Sequence, residues 1–454
     1  MSTVSEKIAE WVQITNYNCI PEEVLDIAKR CILDFVGVTL AGSREETARI
    51  VRQYLNEVSG KGESTVIGLG IKAPCTEAAL ANGTVGHCLD YEDFIQPVSS
   101  AGGPHVTAVV LPAALAVAEK TNRTGKELIE AYVLGCEVVY SIGRAVEPGH
   151  FLSGWHNTGT HGVFGAAVAA SKLLKLNADE TTYALGIAGS EASGLRENFG
   201  TMTKPFHAGA ASAKGVRAAM LARLGFTSAK TIFEGRNGFF NALCKKLEID
   251  ELTQNLGKPF GLPQVKLKLY PCCGAALRGI DGTLDLANEY NIKAEEVEEV
   301  IVKCHPGAAD ALTYSKPITA LEGKFSIQFP VALALSERGV TLEQFTDDRV
   351  REPKIINLMQ RVKLVPTPEL AATNSQVARA VVEITLKGGK KLAKTVDFPR
   401  GTPEKPLSDE QLLQKYRSCA SLAISEKATK EMQERLLNLE KVEDIGKLAN
   451  ILIG

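Results

Sequence analysis

Helical periodicity governs about the first 260 residues and fixes what they can become. Over 22–40, apolar side chains fall at 24, 25, 28, 31, 32, 35 and 36 and the pattern stops at Gly42. That is the i, i+3, i+4 spacing of one helix face, closed by a helix-ending glycine. Segments 106–120, 126–146, 162–174 and 208–224 follow the same rule. Several are apolar on nearly every side, which marks central helices of a large bundle. The run 208–222 is dense in Ala and Gly, so neighbouring backbones can approach closely there.

Near Pro263 the texture changes. Residues 299–305 alternate as a short strand. Residues 376–386, the turn Lys387-Gly388-Gly389-Lys390, and 391–398 predict a β-hairpin. Helical patterns lie between these at 275–290 and 318–338. After Pro399-Arg400-Gly401-Thr402-Pro403 the chain turns helical again, and Ser408 with Gln411 fits a capping box. The expected architecture is mainly α with an α+β lid. A large helical domain is built from both chain ends, 1–262 and 402–454, and a smaller α+β domain, 263–401, is inserted. No internal repeat or low-complexity tract is visible.

Charge narrows the partners. Lys and Arg total 51 and Asp and Glu 53, a net of −2, without the basic excess of a nucleic-acid binder. The longest apolar stretch, 106–118, is interrupted by Thr107 and Pro112 and is too short to span a bilayer. The N-terminal residues lack a basic segment followed by an apolar core. The ten cysteines are scattered, several inside apolar helical patterns. Reduced thiols in a cytoplasmic protein are therefore expected, and no membrane contact.

Four segments carry groups capable of chemistry. Residues 82–93 run Asn-Gly-Thr-Val-Gly-His-Cys-Leu-Asp-Tyr-Glu-Asp and place Asp90, Glu92 and Asp93 after an apolar helix. A Pro/Ser/Gly loop, 96–104, follows and ends at His105; such a loop is expected to move. On the motif alone, a surface turn with a helix-capping Asp is the commoner reading. Next, Gly154-Trp155-His156-Asn157-Thr158-Gly159-Thr160-His161-Gly162 sets an imidazole beside glycines at a helix start. His156 there is either a proton-transfer group or a satisfied structural histidine. In 194–207, Thr203 is expected to cap the helix that Pro205 helps to start. Arg196 and Lys204 bring cations to a helix N-terminus, which suits an anionic guest. A surface lysine is the alternative. Finally, 266–274 contains Lys268 and the vicinal pair Cys272-Cys273.

Metal and nucleotide signals are missing. Adjacent cysteines lack C-x-x-C spacing, His156 and His161 are five apart, and no H-E-x-x-H occurs. Gly68-Leu69-Gly70 is a lone fragment of a dinucleotide fingerprint. Two readings follow from the residues. One is a cofactor-independent enzyme moving protons on a small carboxylate. The other is a helical interaction scaffold with incidental polar loops.

Taken together, the segments resemble the MmgE/PrpD family, which includes 2-methylcitrate dehydratase, cis-aconitate decarboxylase and iminodisuccinate epimerase. The resemblance begins at Ile32-Leu33-Asp34-Phe35-Val36-Gly37 and Ala81-Asn82-Gly83-Thr84. It continues through His87-Cys88-Leu89-Asp90-Tyr91-Glu92-Asp93, His105 and Trp155-His156. It then runs over Gly200-Thr201-Met202-Thr203-Lys204-Pro205 and Lys268-Leu269-Tyr270-Pro271 to Lys324-Phe325-Ser326-Ile327-Gln328-Phe329.

The resemblance implies a homodimer, an active site in the cleft between a helical domain and a lid, and no metal or organic cofactor. It also implies a lyase acting on a small di- or tricarboxylate, with an isomerase or epimerase of a dicarboxylate such as iminodisuccinate as the alternative. By the same resemblance, Asp90, His105, His156, Lys204 and Lys268 are the site residues. The chain departs from the decarboxylase pattern at Phe94, Cys273 and Phe329, where that relative carries Thr, His and Tyr. His156 is assigned the carbon-proton transfer, and Lys204 and Lys268 the carboxylates and the enolate charge. Asp90 is to orient one of these groups, and His105 to protonate a leaving hydroxyl or close over the substrate. Arg196 and Thr203 are expected to bind the anion beside them, and Phe94 and Cys273 to line the pocket.

Overall fold

A computed structural model describes residues 2–58, 60–95, 102–146, 149–244, 248–370 and 379–453. The chain is mostly helical with a small mixed sheet. It forms two compact units, Met1–Glu197 with Thr203–Leu267 and Ser408–Gly454, and Asn198–Met202 with Lys268–Leu407.

The first unit opens with α1 (Val4–Ile14), α2 (Glu22–Gly42) and α3 (Glu46–Glu57). A short hairpin follows, β1 (Ser64–Val66) and β2 (Ile71–Ala73). Its turn explains Gly68-Leu69-Gly70: both glycines have positive φ, +71° and +70°, which a hairpin turn needs and a side chain resists. Next come α4 (Cys75–His87), the two-residue strand β3 (Phe94–Ile95), α5 (Val106–Lys120) and α6 (Gly125–Ala145). They are followed by α7 (Asn157–Leu173), α8 (Ala178–Ser190), α9 (Thr203–Arg223) and β4 (Val265–Lys266), which pairs antiparallel with β3.

Helices α4, α5, α7 and α9 pack together as the core. Every residue from Val106 to Glu119 is buried, as the all-round apolar pattern requires. A Cβ added to Gly83 of α4 would lie 2.7 Å from Gly209 Cα of α9. These two helices therefore touch backbone to backbone, and glycine at both positions is what allows it. No helix among the described residues is long and apolar enough to cross a membrane. Among the described residues no cysteine forms a disulfide, and seven of the ten cysteines are buried.

Two helix starts differ from the sequence expectation. Helix α7 begins at Asn157 rather than 162, because residues 157–161 are all buried and packing outweighs the weak propensity of Asn, Thr and Gly. Helix α9 begins at Thr203, so Thr203 is its first helical residue and not its cap. Pro205 falls in the first turn, where a missing N–H costs no helical bond.

In the second unit, α10 (Leu277–Glu289) packs on a four-stranded sheet of order β6-β5-β7-β8. The strands are β5 (Val297–Cys304), β6 (Val362–Pro366), β7 (Ala380–Leu386) and β8 (Lys391–Val396). β5 runs parallel to β6 and antiparallel to β7, and β7 and β8 form the expected hairpin. Gly389, at φ +79°, makes its turn. Residues 376–378, expected to open β7, lie outside the described residues. The single helix expected over 318–338 is two pieces, a turn at Ala320–Gly323 and α11 (Gln328–Glu337). Pro330 is the reason: in one continuous helix its ring would strike the carbonyl of Ser326. Instead Ser326 Oγ accepts from the Phe329 N–H at 3.3 Å and starts a new helix. The chain then returns to the first unit as α12 (Asp409–Ala420) and α13 (Glu426–Leu437). Ser408 and Gln411 form the capping box read from the sequence.

Candidate active site

Helix ends and one inward turn deliver the charged groups. α4 finishes at His87, and Asp90 then adopts φ +52°. This left-handed conformation is one that Asp tolerates better than most residues. The turn points the acids inward, and Asp90, Glu92 and Asp93 are only 3%, 0% and 1% exposed. The surface-turn reading of this motif is therefore overturned. Close contact of α4 with α9 brings the first turn of α9 to this loop. Lys204 Nζ donates to Asp90 Oδ1 at 2.9 Å. Lys204 is buried, so it is not the surface lysine of the alternative reading.

His105 precedes α5, and its N–H donates to Thr158 Oγ1 of α7 at 3.1 Å. Its ring Nδ1 donates to the Asp93 carbonyl at 3.0 Å and lies 2.6 Å from Glu92 Oε1. Both partners are acceptors, so this nitrogen carries hydrogen. Its Nε2 lies 3.6 Å from Asp90 Oδ1, the oxygen that takes the Lys204 bond. His87 Nδ1 also meets Glu92 Oε1 at 2.6 Å. The two rings stand 4.4 Å apart, with that of His156 stacked 6.2 Å from His87.

His156 caps the start of α7. Its N–H donates to the Gly194 carbonyl at 3.0 Å, and its Nδ1 lies 3.0 Å from Nδ1 of His207 on α9. Asp90, His105, His156 and Lys204 are thus gathered within the first unit.

Burial sets the electrostatics. Desolvation alone would raise the Glu92 carboxyl, yet the charges and hydrogen bonds of His87 and His105 hold it well below the usual carboxylate range. Burial, then Lys204 and the neighbouring rings, holds His156 far below the ordinary histidine value, in its neutral form. Asp93 goes the other way. Burial pushes it up to about 7, reinforced by Asp34 and Glu92, although Thr107 Oγ1 donates to it at 2.5 Å. The loop is also anchored from the C-terminal helices. Lys415 of α12 pairs with Asp34 at 2.7 Å and donates to the Tyr91 carbonyl at 2.7 Å, all deeply buried.

The other expected residues have surroundings of their own. Arg196 donates to the Phe151 carbonyl at 3.0 Å, with its guanidinium 3.8 Å over the Phe151 ring. Thr203 is exposed. Phe94 is buried 6.1 Å from the His105 ring and pairs through β3 with Lys266. Lys268, Cys273 and Phe329 belong to the second unit. Lys268 is fully buried, and the Cys273 N–H donates to the Lys324 carbonyl at 2.9 Å. Phe329 is a core residue, edge-on to Phe345 at 5.2 Å. Residues 96–101 of the loop before His105 lie outside the described residues. His207 and the bridging part of Glu92 were missed from the sequence, although one signal was present. Lys204 and His207 are three apart on one helix, hence on one face.

His87, Asp90, Glu92 and His105 offer donor atoms within 4.8 Å of one another, a set whose chemistry suits a divalent cation. Here Glu92 Oε1 meets both rings at 2.6 Å, Asp90 Oδ1 lies 3.6 Å from His105 Nε2, and the Lys204 ammonium sits on Asp90. A surface cavity of about 510 Å³ lies apart from these groups, and its Lys72 and Lys120 are matched by Glu119 and Glu63.

A buried cluster of imidazoles, carboxylates and an ammonium lies at the ends of packed helices. Comparison with known proteins gives the family. Residues 6–252 match the MmgE/PrpD N-terminal domain, and residues 270–441 the MmgE/PrpD C-terminal domain. The chain belongs to the MmgE/PrpD family and is an enzyme. It is 28% identical to cis-aconitate decarboxylase of Aspergillus terreus over 478 residues, covering 99% of this chain and 96% of the relative. The human cis-aconitate decarboxylase is 28% identical over 468 residues, covering 100% and 95%. The mitochondrial 2-methylcitrate dehydratase of Yarrowia lipolytica is 23% identical over 438 residues, covering 88% and 80%.

Proposed function

We propose that this protein is a lyase that moves a proton beside a carboxylate of a small di- or tricarboxylic acid, as a dehydratase or a decarboxylase. The observation that carries this reading is the buried Lys204–Asp90 pair held against three imidazoles. An unpaired buried charge costs several kcal/mol. An ammonium kept in such a place beside the Asp90 carboxylate is suited to hold a substrate carboxylate by charge-assisted hydrogen bonding. Both activities in the relatives' names include a proton-transfer step: dehydration removes a proton beside a carboxylate, and decarboxylation ends by delivering one to carbon.

In this reading His156 carries the carbon proton. A neutral imidazole is the form that accepts a proton, and its environment keeps it neutral. Lys204 binds a carboxylate and stabilises the enolate charge that develops there. Asp90 holds the Lys204 ammonium in place. His105, with Nδ1–H fixed by Glu92 and the Asp93 carbonyl, presents Nε2 to a leaving hydroxyl in dehydration. Lys268 binds a second carboxylate; it is two residues beyond Lys266, which pairs with Phe94. Arg196 and Thr203 add anion contacts, and Phe94 and Cys273 shape the space where the decarboxylase pattern has Thr and His. The reaction needs no metal or organic cofactor. Residues 1–262 with 402–454 and 263–401 are the proposed domains, and the chain works as a homodimer, which light scattering at micromolar concentration tests.

The test is a screen of cis-aconitate, citrate, 2-methylcitrate and the iminodisuccinate stereoisomers, by thermal shift and by product formation. Turnover of a tricarboxylate with loss of water or CO₂ is expected. Interconversion of iminodisuccinate stereoisomers alone would make the protein an isomerase. Binding of none of these acids would overturn the small di- or tricarboxylate as the substrate class.

A further inference from the structure

The contact between His156 and His207 joins the two rings through their Nδ1 atoms, 3.0 Å apart. This is unusual because each imidazole offers one hydrogen to share, and both rings are deeply buried, at 3% and 8% exposed. At that distance one Nδ1 must carry hydrogen and the other must accept it. The geometry is held from the backbone. Gly194, at φ +131°, accepts the His156 N–H, and a Cβ there would lie 3.2 Å from His207 Cγ and 3.6 Å from His156 Cβ. Gly159 of α7 would bring a Cβ to 3.6 Å from His207 Cβ and 2.2 Å from the Ser193 carbonyl. Two glycines thus let α7, α9 and the 193–194 loop close on one ring pair.

We propose that His207 is a positioning residue that fixes the tautomer of His156, so that proton exchange with the substrate falls to His156 Nε2. This rests on the reading of His156 as the proton carrier. With the shared hydrogen on His156 Nδ1, its Nε2 is a base. With that hydrogen on His207 Nδ1, neutral His156 carries its hydrogen on Nε2 and cannot accept a proton there. Each neutral ring carries a single hydrogen, so the two arrangements differ at both Nε2 atoms as well and do not interconvert by the shared hydrogen alone. When His156 takes the substrate proton at Nε2 it becomes an imidazolium whose Nδ1–H still donates to His207 Nδ1.

The surroundings keep the pair uncharged. His156 faces Lys204, His207, His87 and His105, and His207 faces His87, Lys204 and Lys214. Lys214 is itself tied to the Glu191 carbonyl and Ser193 Oγ. Burial first, then these cations and rings, lowers His207 to about 4. Protonating it would place a donor on both ring nitrogens and hold His156 as the Nε2–H tautomer, which cannot accept the substrate proton.

Two variants separate positioning from packing. His207→Asn keeps an amide near the Nδ1 position, whereas His207→Leu keeps volume without a hydrogen bond. In ¹⁵N-histidine spectra of the full chain, assigned with His156→Gln, the His156 ring should show one fixed tautomer in wild type. His207→Asn should retain it, and His207→Leu should give averaged or titrating shifts. In turnover, His207→Leu should lose roughly 10–100-fold in kcat, the usual effect of removing a group that orients a working histidine, with KM changed less than twofold. His207→Asn should recover most of that loss. Identical His156 shifts in wild type and His207→Leu would overturn the proposal. So would equal kcat losses in both variants that merely track their melting temperatures. If His156→Gln keeps full turnover, the proton-carrier assignment falls, while the spectra still decide whether His207 fixes the ring.

Discussion

His105 and His156 each stand at the start of a core helix, yet their Nδ1 atoms meet opposite partners. His105 faces a buried carboxylate and a backbone carbonyl, and His156 faces another imidazole. A carboxylate partner does not by itself charge a buried ring: His87 meets the same Glu92 oxygen at 2.6 Å, and burial still holds it below the ordinary histidine value, as it does His156. Two chemically identical side chains sit in different settings, one against a carboxylate and a carbonyl, the other against a second ring. The lesson is that partner identity, more than the histidine itself, assigns the role.

The largest expected effect comes from removing one side of this pair outright. His156→Gln should lower turnover by about 10²–10⁴ and abolish deuterium incorporation from solvent at the substrate carbon. A variant keeping half of wild-type exchange would shift the base to Lys204.

Glu92→Gln attacks the other side. It removes the charge that supports His105 and His87 but keeps the shape, and kcat should fall roughly 10–100-fold, as for other residues that orient a histidine. A rate within twofold of wild type would mean that the Asp93 carbonyl alone orients His105.

The Glu92 loop also hangs on the C-terminal helices, through Lys415. Lys415→Met should destabilise the fold by about 3–5 kcal/mol, because Asp34 keeps its charge in the core without its partner. Urea unfolding measures this, and a loss below about 1 kcal/mol, the worth of a surface pair, would contradict the anchoring.

Stability against pH sharpens the comparison further. His87, His156, His161 and His207 all lie below the ordinary 6.5 when folded, largely through burial. The unfolded chain then binds more protons, so their contribution is complete above pH 6.5 and fades as pH falls toward about 4. Asp93 opposes them: raised to about 7, it favours the folded state at low pH and loses that contribution as pH rises toward 7. Unfolding free energy should therefore rise from about pH 4.5 to 6.5, and more steeply in Asp93→Asn. An equal slope in the variant would place the Asp93 proton elsewhere. The smallest effect is expected from chelation: overnight dialysis against EDTA should change turnover less than twofold, and activity restored by a divalent ion would assign His87, Asp90, Glu92 and His105 to a metal.

Much of the helical core was legible. Apolar positions on every side of 106–120 allow nothing but a buried helix, and the Ser408–Gln411 cap is local chemistry. The broken helix at Pro330 is legible too, since a proline inside an apolar helical pattern marks a break in the turn before it. The early start of α7 was not, because Asn-Thr-Gly-Thr-His is helical only when the neighbouring helices bury it.

For the site, the sequence determined which groups exist and roughly where: acids after α4, an imidazole before α5 and another before α7, and a lysine in the first turn of α9. Only the tertiary structure decided what they are. Asp90 is inward because a left-handed turn aims it there, and Lys204 reaches it because Gly83 and Gly209 let two backbones touch. Glu92 became a bridge and His207 a ring partner by closing distances of 5 to 51 residues along the chain. Local pattern cannot report such pairings, since hydrogen bonds and pKa shifts depend on separations in space that packing alone sets.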